Sequence, residues 1–200
     1  MKKGENFNHP KKGSKISVEA IRDLKDIRSI KKLLKDNPRD LALFTVGINT
    51  NLRASDLCLI TVGEVRDLQA GDELIIYEKK TGKERRINLN QDCVKSIETL
   101  ITSSKIPLND DDQLFQGRQG NIDTIGINYL VKKWTRMINL KGRFGSHTLR
   151  KTFGYQMRVL HKVSIPVLMS IFNHSTQKQT LDYLCVQPDE IKEVYLLGVG

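Results

Sequence analysis

The sequence predicts a mainly helical α+β fold with one small antiparallel sheet. Three observations carry this expectation. Apolar residues recur at three- and four-residue steps over most of the chain. The period shortens to two only between Glu73 and Leu89, on either side of turn chemistry at Gly82. No internal repeat or Gly/Ser linker interrupts the 200 residues, so one compact domain is expected.

The elements follow in order. Residues 1–15 (MKKGENFNHPKKGSK) carry five lysines, two glycines and a proline, and read as a basic flexible arm. Residues 16–200 form the domain. Between 17 and 36, Ile21, Leu24, Ile27, Ile30, Leu33 and Leu34 mark one or two helical stretches. Asn37-Pro38 is a boundary, because proline suits a first helical turn. A helix from about Arg39 to Ile48 and a short one from about Ala54 to Leu59 come next. Glu73–Glu78 and Arg85–Leu89 form a hairpin around Lys79-Lys-Thr-Gly-Lys83. Helical periodicity resumes over 91–103. An Asn/Asp loop (109–112) leads to an extended Leu114–Gly117 and a helix at about 123–138. Further helices are expected near 147–161, 164–172 and 177–184, with an amphipathic tail helix at about 187–197.

Composition narrows the function. The net charge of +10 favours a polyanionic partner. Its distribution says more. No acidic residue lies between Asp123 and Asp182, while Lys132, Lys133, Arg136, Lys141, Arg143, Arg150, Lys151, Arg158, Lys162 and Lys178 do. Nucleic acid fits this better than an anionic lipid or a ribosomal-type surface. No apolar run approaches the roughly 20 residues of a membrane helix, and the arm lacks the apolar core of a secretory signal. A cytoplasmic location is the default. Cys58, Cys93 and Cys185 are odd in number and far apart, which argues against disulfides or zinc and for burial. There is no phosphate-binding glycine loop, no GxGxxG and no HExxH. Asp110-Asp-Asp112 reads as a polar turn, and the carboxylates do not cluster as a two-metal site requires. No metal or cofactor is expected.

The chemistry-bearing residues recur in one order. In Ser146-His-Thr-Leu-Arg150, His147 and Arg150 share a helix face. Gly154, one turn on, is expected to leave that face open to a ligand. Asn173-His-Ser175 is followed by Tyr183, nine residues after His174. Upstream, Asn51-Leu-Arg-Ala-Ser-Asp56 puts Arg53 at a helix start, with Asp56 three residues on. The lysine-rich hairpin lies between. Arginines grip phosphates bidentately, histidines donate hydrogen bonds or move protons, a lysine can protonate a leaving alkoxide, and a tyrosine can be a covalent nucleophile. Taken singly, each residue has an ordinary structural reading; the joint pattern is what carries weight.

That pattern resembles the tyrosine recombinase, or phage integrase, family. Asn-Leu-Arg-Ala-Ser-Asp-Leu is similar to the family's first-arginine box. His-Thr-Leu-Arg-Lys-Thr-Phe is similar to its His-x-Leu-Arg-His-Thr-Phe box, and Asn-His-Ser…Tyr to its Gly-His-Ser…Tyr element. Lys80-Thr-Gly-Lys-Glu-Arg85 resembles its catalytic hairpin. The match covers residues from about 40 to 184. Departures are Asn51 and Asn173 for glycine, Asp56 for glutamate and Lys151 for histidine; asparagine tolerates left-handed backbone.

The resemblance implies the family's catalytic-domain fold and a site-specific recombinase that cleaves and rejoins double-stranded DNA. It implies Tyr183 as nucleophile forming a 3′-phosphotyrosine. Arg53, Arg150, His147 and His174 would surround the phosphate, Asp56 would support Arg53, and Lys80 would protonate the leaving oxygen, with no ATP or metal. Lys79, Lys83, Arg85, Lys132, Lys133, Arg136, Arg143 and Lys151 are further candidate DNA contacts. It implies assembly as a dimer to tetramer through the tail. A full N-terminal DNA-clamping domain is not expected in a chain with so short a leader. The alternatives are a nicking-closing enzyme of topoisomerase type, a silent DNA-binding regulator and a basic RNA-binding protein.

Overall fold

The structure, a computed structural model, describes residues 17–79, 82–104, 108–117, 120–184, 192, 196 and 197. Among them run α1 (Leu24–Leu33), α2 (Pro38–Asn49), α3 (Ala54–Leu57), β1 (Glu73–Tyr77), β2 (Glu84–Asn88) and α4 (Gln91–Thr102). Then come β3 (Gln116–Gly117), β4 (Gly120–Asn121), α5 (Thr124–Met137), α6 (Ser146–Val159), α7 (Ile165–Phe172) and α8 (Gln177–Leu184). The fold is mainly α with small antiparallel sheets, as expected. The arm (1–15), Lys80, Cys185 and most of the tail helix lie outside the described residues.

Helix α2 is the centre. Ala42, Leu43, Phe44 and Val46 are all fully buried, so the helix is apolar on every side and must be covered all round. It packs against α4 and α6. Pro38 opens it and Asn37 caps it by accepting from Asp40 N–H. Asp40 is itself buried and accepts from Trp134 Nε1 of α5 at 3.1 Å, while the Trp134 ring meets Phe44 edge-on at 5.8 Å. The hairpin pairs Glu73 with Asn88 through Tyr77 with Glu84, and Leu74 and Ile76 point inward. Cys58 and Cys93 are buried thiols, pushed up to about 11 and about 12 by that burial.

Two local expectations change. Only Leu24–Leu33 of the stretch 17–36 is helical, because Asp23 caps it there. Residues 17–22 instead run along α6. Ile21 N–H donates to Thr152 Oγ1, and Gln156 Nε2 donates to the carbonyls of Ile21 and Arg22. The extended segment after Leu114 is half of a second hairpin, β3–β4, too short for any periodicity to reveal. The Asp110–Asp112 turn docks on residues 62–63, whose N–H groups donate to the carbonyls of Asp112 and Asp110.

Helix α6 divides two cores. Leu149 is buried in the large one. Phe153 belongs to a small one with Leu168, Phe172 and Leu184, on which Tyr183 packs. Gly154 faces this small core: a Cβ there would sit 2.8 Å from Phe172 Cζ, so its missing side chain makes room for packing and not for a ligand. On the other side, a Cβ on Gly47 would meet Leu149 Cδ1 at 2.6 Å and Cβ at 3.3 Å. A Gly47→Val chain should lose about 1–3 kcal/mol of unfolding free energy in urea denaturation, through overpacking between α2 and α6; unchanged stability would refute that close packing.

Candidate active site

Two left-handed asparagines shape the site. Asn51 (φ 55°) turns the chain after α2, so that Arg53 arrives as the residue preceding α3. Asn173 (φ 52°) ends α7 and swings His174 back toward α8. Asparagine is one of the few non-glycine residues that visit this region readily. Each turn presents carbonyls inward, and Arg150 of α6 takes them up. Its Nη1 donates to Asn51 O at 2.9 Å and its Nη2 to Phe172 O at 2.8 Å. The guanidinium is 1% exposed, and its Nε has no hydrogen-bond partner among the described residues.

Arg53, His147, Arg150, His174 and Tyr183 line one open cleft of about 950 Å³, with Lys83 at its border. They come from four separate segments. The Tyr183 hydroxyl lies 3.3 Å from His147 Nδ1. Its ring is 5.2 Å from the His174 ring and 5.6 Å from the Arg150 guanidinium. His174 Nδ1 lies 3.1 Å from Thr180 Oγ1.

The charges around the cleft are unbalanced. Arg53 pairs with Glu78 at 2.7 Å and stands 3.8 Å from Asp56. Glu78 is also 3.5 Å from Arg85. Burial, followed by the neighbouring Arg53 and Arg85, lowers Arg150 to about 10. It is still protonated at neutral pH. Burial, then Arg150 and Arg53, hold His174 down to about 4, so this imidazole is neutral there. The cleft is therefore an anion site whose charge comes from guanidiniums. Neutral His174 can act only as a hydrogen-bond donor or acceptor.

Two expected DNA contacts are corrected. Arg85 is turned inward: it donates to the carbonyls of Asn51, Thr50 and Ile171. It anchors the hairpin to the α2 and α7 ends, and burial lowers its pKa. Lys151 is buried, donates to Ser17 Oγ at 2.8 Å and lies 5.7 Å above the Tyr183 ring. Asp56 stands beside Arg53 and also accepts from Lys79 N–H, but Glu78 is the nearer carboxylate. Alternation had the signal for it: Leu74, Ile76 and Glu78 share the buried face of β1. Lys79, Lys132, Lys133, Arg136 and Arg143 are exposed. Lys132, Arg136 and Arg143 line a second cavity of about 860 Å³ between α5 and the loop that follows it, with no acidic residue in its wall. Among the described residues no cluster of ligands could hold a metal ion, and no helix is long and apolar enough to cross a membrane.

Comparison with known proteins places this geometry. The phage integrase family model matches residues 21–190. A probable integrase/recombinase of Bacillus subtilis (strain 168), YoeC, is 33% identical over 186 residues, covering 92% of this chain and 98% of that protein. The crystal structure of XerA recombinase superposes with a TM-score of 0.73 at 22% identity, over 96% of this chain and 66% of that one. XerH site-specific recombinase, bound to its palindromic difH substrate after cleavage, superposes at 0.69 and 18% identity, over 92% and 54%. The two structures share the fold. The chain thus spans nearly all of one relative and between about half and two thirds of the other two.

A pH titration tests the neutral histidine. Between about 4 and about 6.5 the unfolded chain binds a proton at His174 that the folded chain refuses. Stability should therefore rise with pH across that window, and His174→Gln should flatten the rise. An identical pH profile in the variant would contradict the burial of a neutral imidazole.

Proposed function

The chain belongs to the phage integrase family, and from that premise we propose that it is a site-specific recombinase that cuts and rejoins DNA strands, with Tyr183 as the nucleophile. The observation that carries this is the cleft itself. It gathers one tyrosine, two arginines and two histidines from distant segments around a space with excess positive charge.

The Tyr183 oxygen attacks the phosphorus of a DNA phosphate, forming a P–O(Tyr) bond as the P–O5′ bond breaks. His147 Nδ1, 3.3 Å away, takes the phenolic proton. Arg53 and Arg150 hold the non-bridging oxygens and stabilise the additional negative charge of the transition state. His174 offers them a neutral hydrogen bond. Lys80, between β1 and β2 in the sequence, supplies a proton to the departing oxygen. Reversal with a 5′ hydroxyl from another duplex reseals the strand. The phosphotyrosine link keeps the bond energy, so the exchange consumes no ATP. The exposed Lys79, Lys83, Lys132, Lys133, Arg136 and Arg143 hold the flanking backbone. Residues 16–200 act as the catalytic domain, in the cytoplasm where DNA is. Subunits join on DNA through the tail, where Leu196 and Leu197 are exposed.

Nicked suicide DNA carrying the chain's own genomic flanks tests the chemistry. The unmodified protein should form a denaturant-resistant adduct, and Tyr183→Phe should form none. An equal adduct from the variant would remove Tyr183 from the role. Lys132→Ala and Arg136→Ala should each weaken duplex binding and reduce the slope of log affinity against log salt by about 1. An unchanged slope would take the α5 cavity out of the DNA path.

A further inference from the structure

A neutral imidazole has one ring proton, and a phosphate oxygen can use it only on the nitrogen that reaches the phosphate. Nδ1 of His174 is occupied by Thr180 Oγ1 at 3.1 Å. The ring packs beside Phe172 and Tyr183 in a three-ring cluster, with centroids at 5.1 and 5.2 Å. This leaves Nε2 for the cleft.

The direction of the Thr180 bond decides which nitrogen carries the proton. Thr180 is completely buried on α8, so water cannot accept from its hydroxyl, and a buried donor left unpaired is costly. Helical threonines often donate to the carbonyl one turn back. Thr50, Thr99, Thr102 and Thr135 all do so here. Thr180 has no such bond; among the described residues the group within hydrogen-bond distance of its hydroxyl is Nδ1 of His174. Were Nδ1 protonated, Thr180 Oγ1 would accept from it, and the hydroxyl's own proton would be left without an acceptor in a buried site.

We propose that Thr180 is a positioning residue: its hydroxyl donates to Nδ1 of His174 and so holds the ring proton on Nε2, aimed at a non-bridging oxygen of the bound DNA phosphate. This rests on the reading of the cleft as a phosphate site. Its consequence for Thr180 itself can be measured without any DNA.

The test uses the full chain with ¹⁵N-labelled histidine, unmodified and as Thr180→Val and Thr180→Ser, read by NMR at neutral pH and by cleavage of suicide DNA. The unmodified chain and Thr180→Ser should show His174 as the Nε2–H tautomer. Thr180→Val, which keeps the shape but not the donor, should show mixed tautomers and cleave about three- to tenfold more slowly at unchanged DNA affinity, the loss of one hydrogen bond. Thr180→Ser should stay near the unmodified rate. An Nδ1–H tautomer in the unmodified chain would overturn the proposal. So would a Thr180→Val chain that retains a single Nε2–H tautomer, or one that cleaves at the full rate. If no adduct forms with any protein, the cleavage reading fails, while the tautomer spectrum still decides the role of Thr180.

Discussion

The buried guanidinium of Arg150 is the constraint around which the site is arranged. A cation taken out of water must recover its lost solvation from fixed partners. Here those partners are main-chain carbonyls, Asn51 O and Phe172 O, at the ends of two different helices. Satisfying Arg150 therefore ties α2, α6 and α7 together at one point. Arg85 repeats the device from the hairpin, drawing on the carbonyls of Asn51, Thr50 and Ile171. Arg53 and His174, two residues beyond Asn51 and one beyond Asn173, inherit their places from this lattice of carbonyls.

Arg53 and Arg85 pair with two buried carboxylates, Glu78 and Asp56, while Arg150 is held by carbonyls, so guanidiniums outnumber carboxylates. The surplus is what an incoming phosphate would neutralise; burial first, and then repulsion from Arg150 and Arg53, keep His174 neutral. The two histidines thus differ by environment. His147 is exposed at the start of α6 beside the Tyr183 hydroxyl, and His174 is half-buried against aromatic rings.

Much of this was legible beforehand, for definite reasons. The boundary at Asn37-Pro38, the helical period over about 123–138 and the alternation of Leu74 and Ile76 are local signals, and they set α2, α5 and β1 within a residue or two. The order Arg53, His147, Arg150, His174, Tyr183 was readable because each lies in a short motif. What periodicity could not disclose was direction. Arg85 and Lys151 look like surface charges in sequence, yet one is consumed by carbonyls and the other by Ser17 and the Tyr183 ring. Gly154 looked like an opening, but Phe172 fills it from 18 residues away. The run 17–22 had helical spacing but exchanges hydrogen bonds with α6 side chains. These are long-range outcomes, decided by partners that no local window contains.

Helix α6 has almost no idle positions. His147 and Arg150 face the cleft, Leu149 the large core, Lys151, Thr152 and Gln156 the strip 17–22, and Phe153 and Gly154 the small core. One turn of rotation or a slight slide would break all four sets of contacts at once. Change in such a protein is therefore channelled. Under the proposed function, exchanging the exposed lysines and arginines of α5 one at a time would shift which duplexes are held, while a substitution along α6 is felt on several sides. Preference for a target and ability to cleave it would then be carried by parts of the fold with very unequal freedom to change.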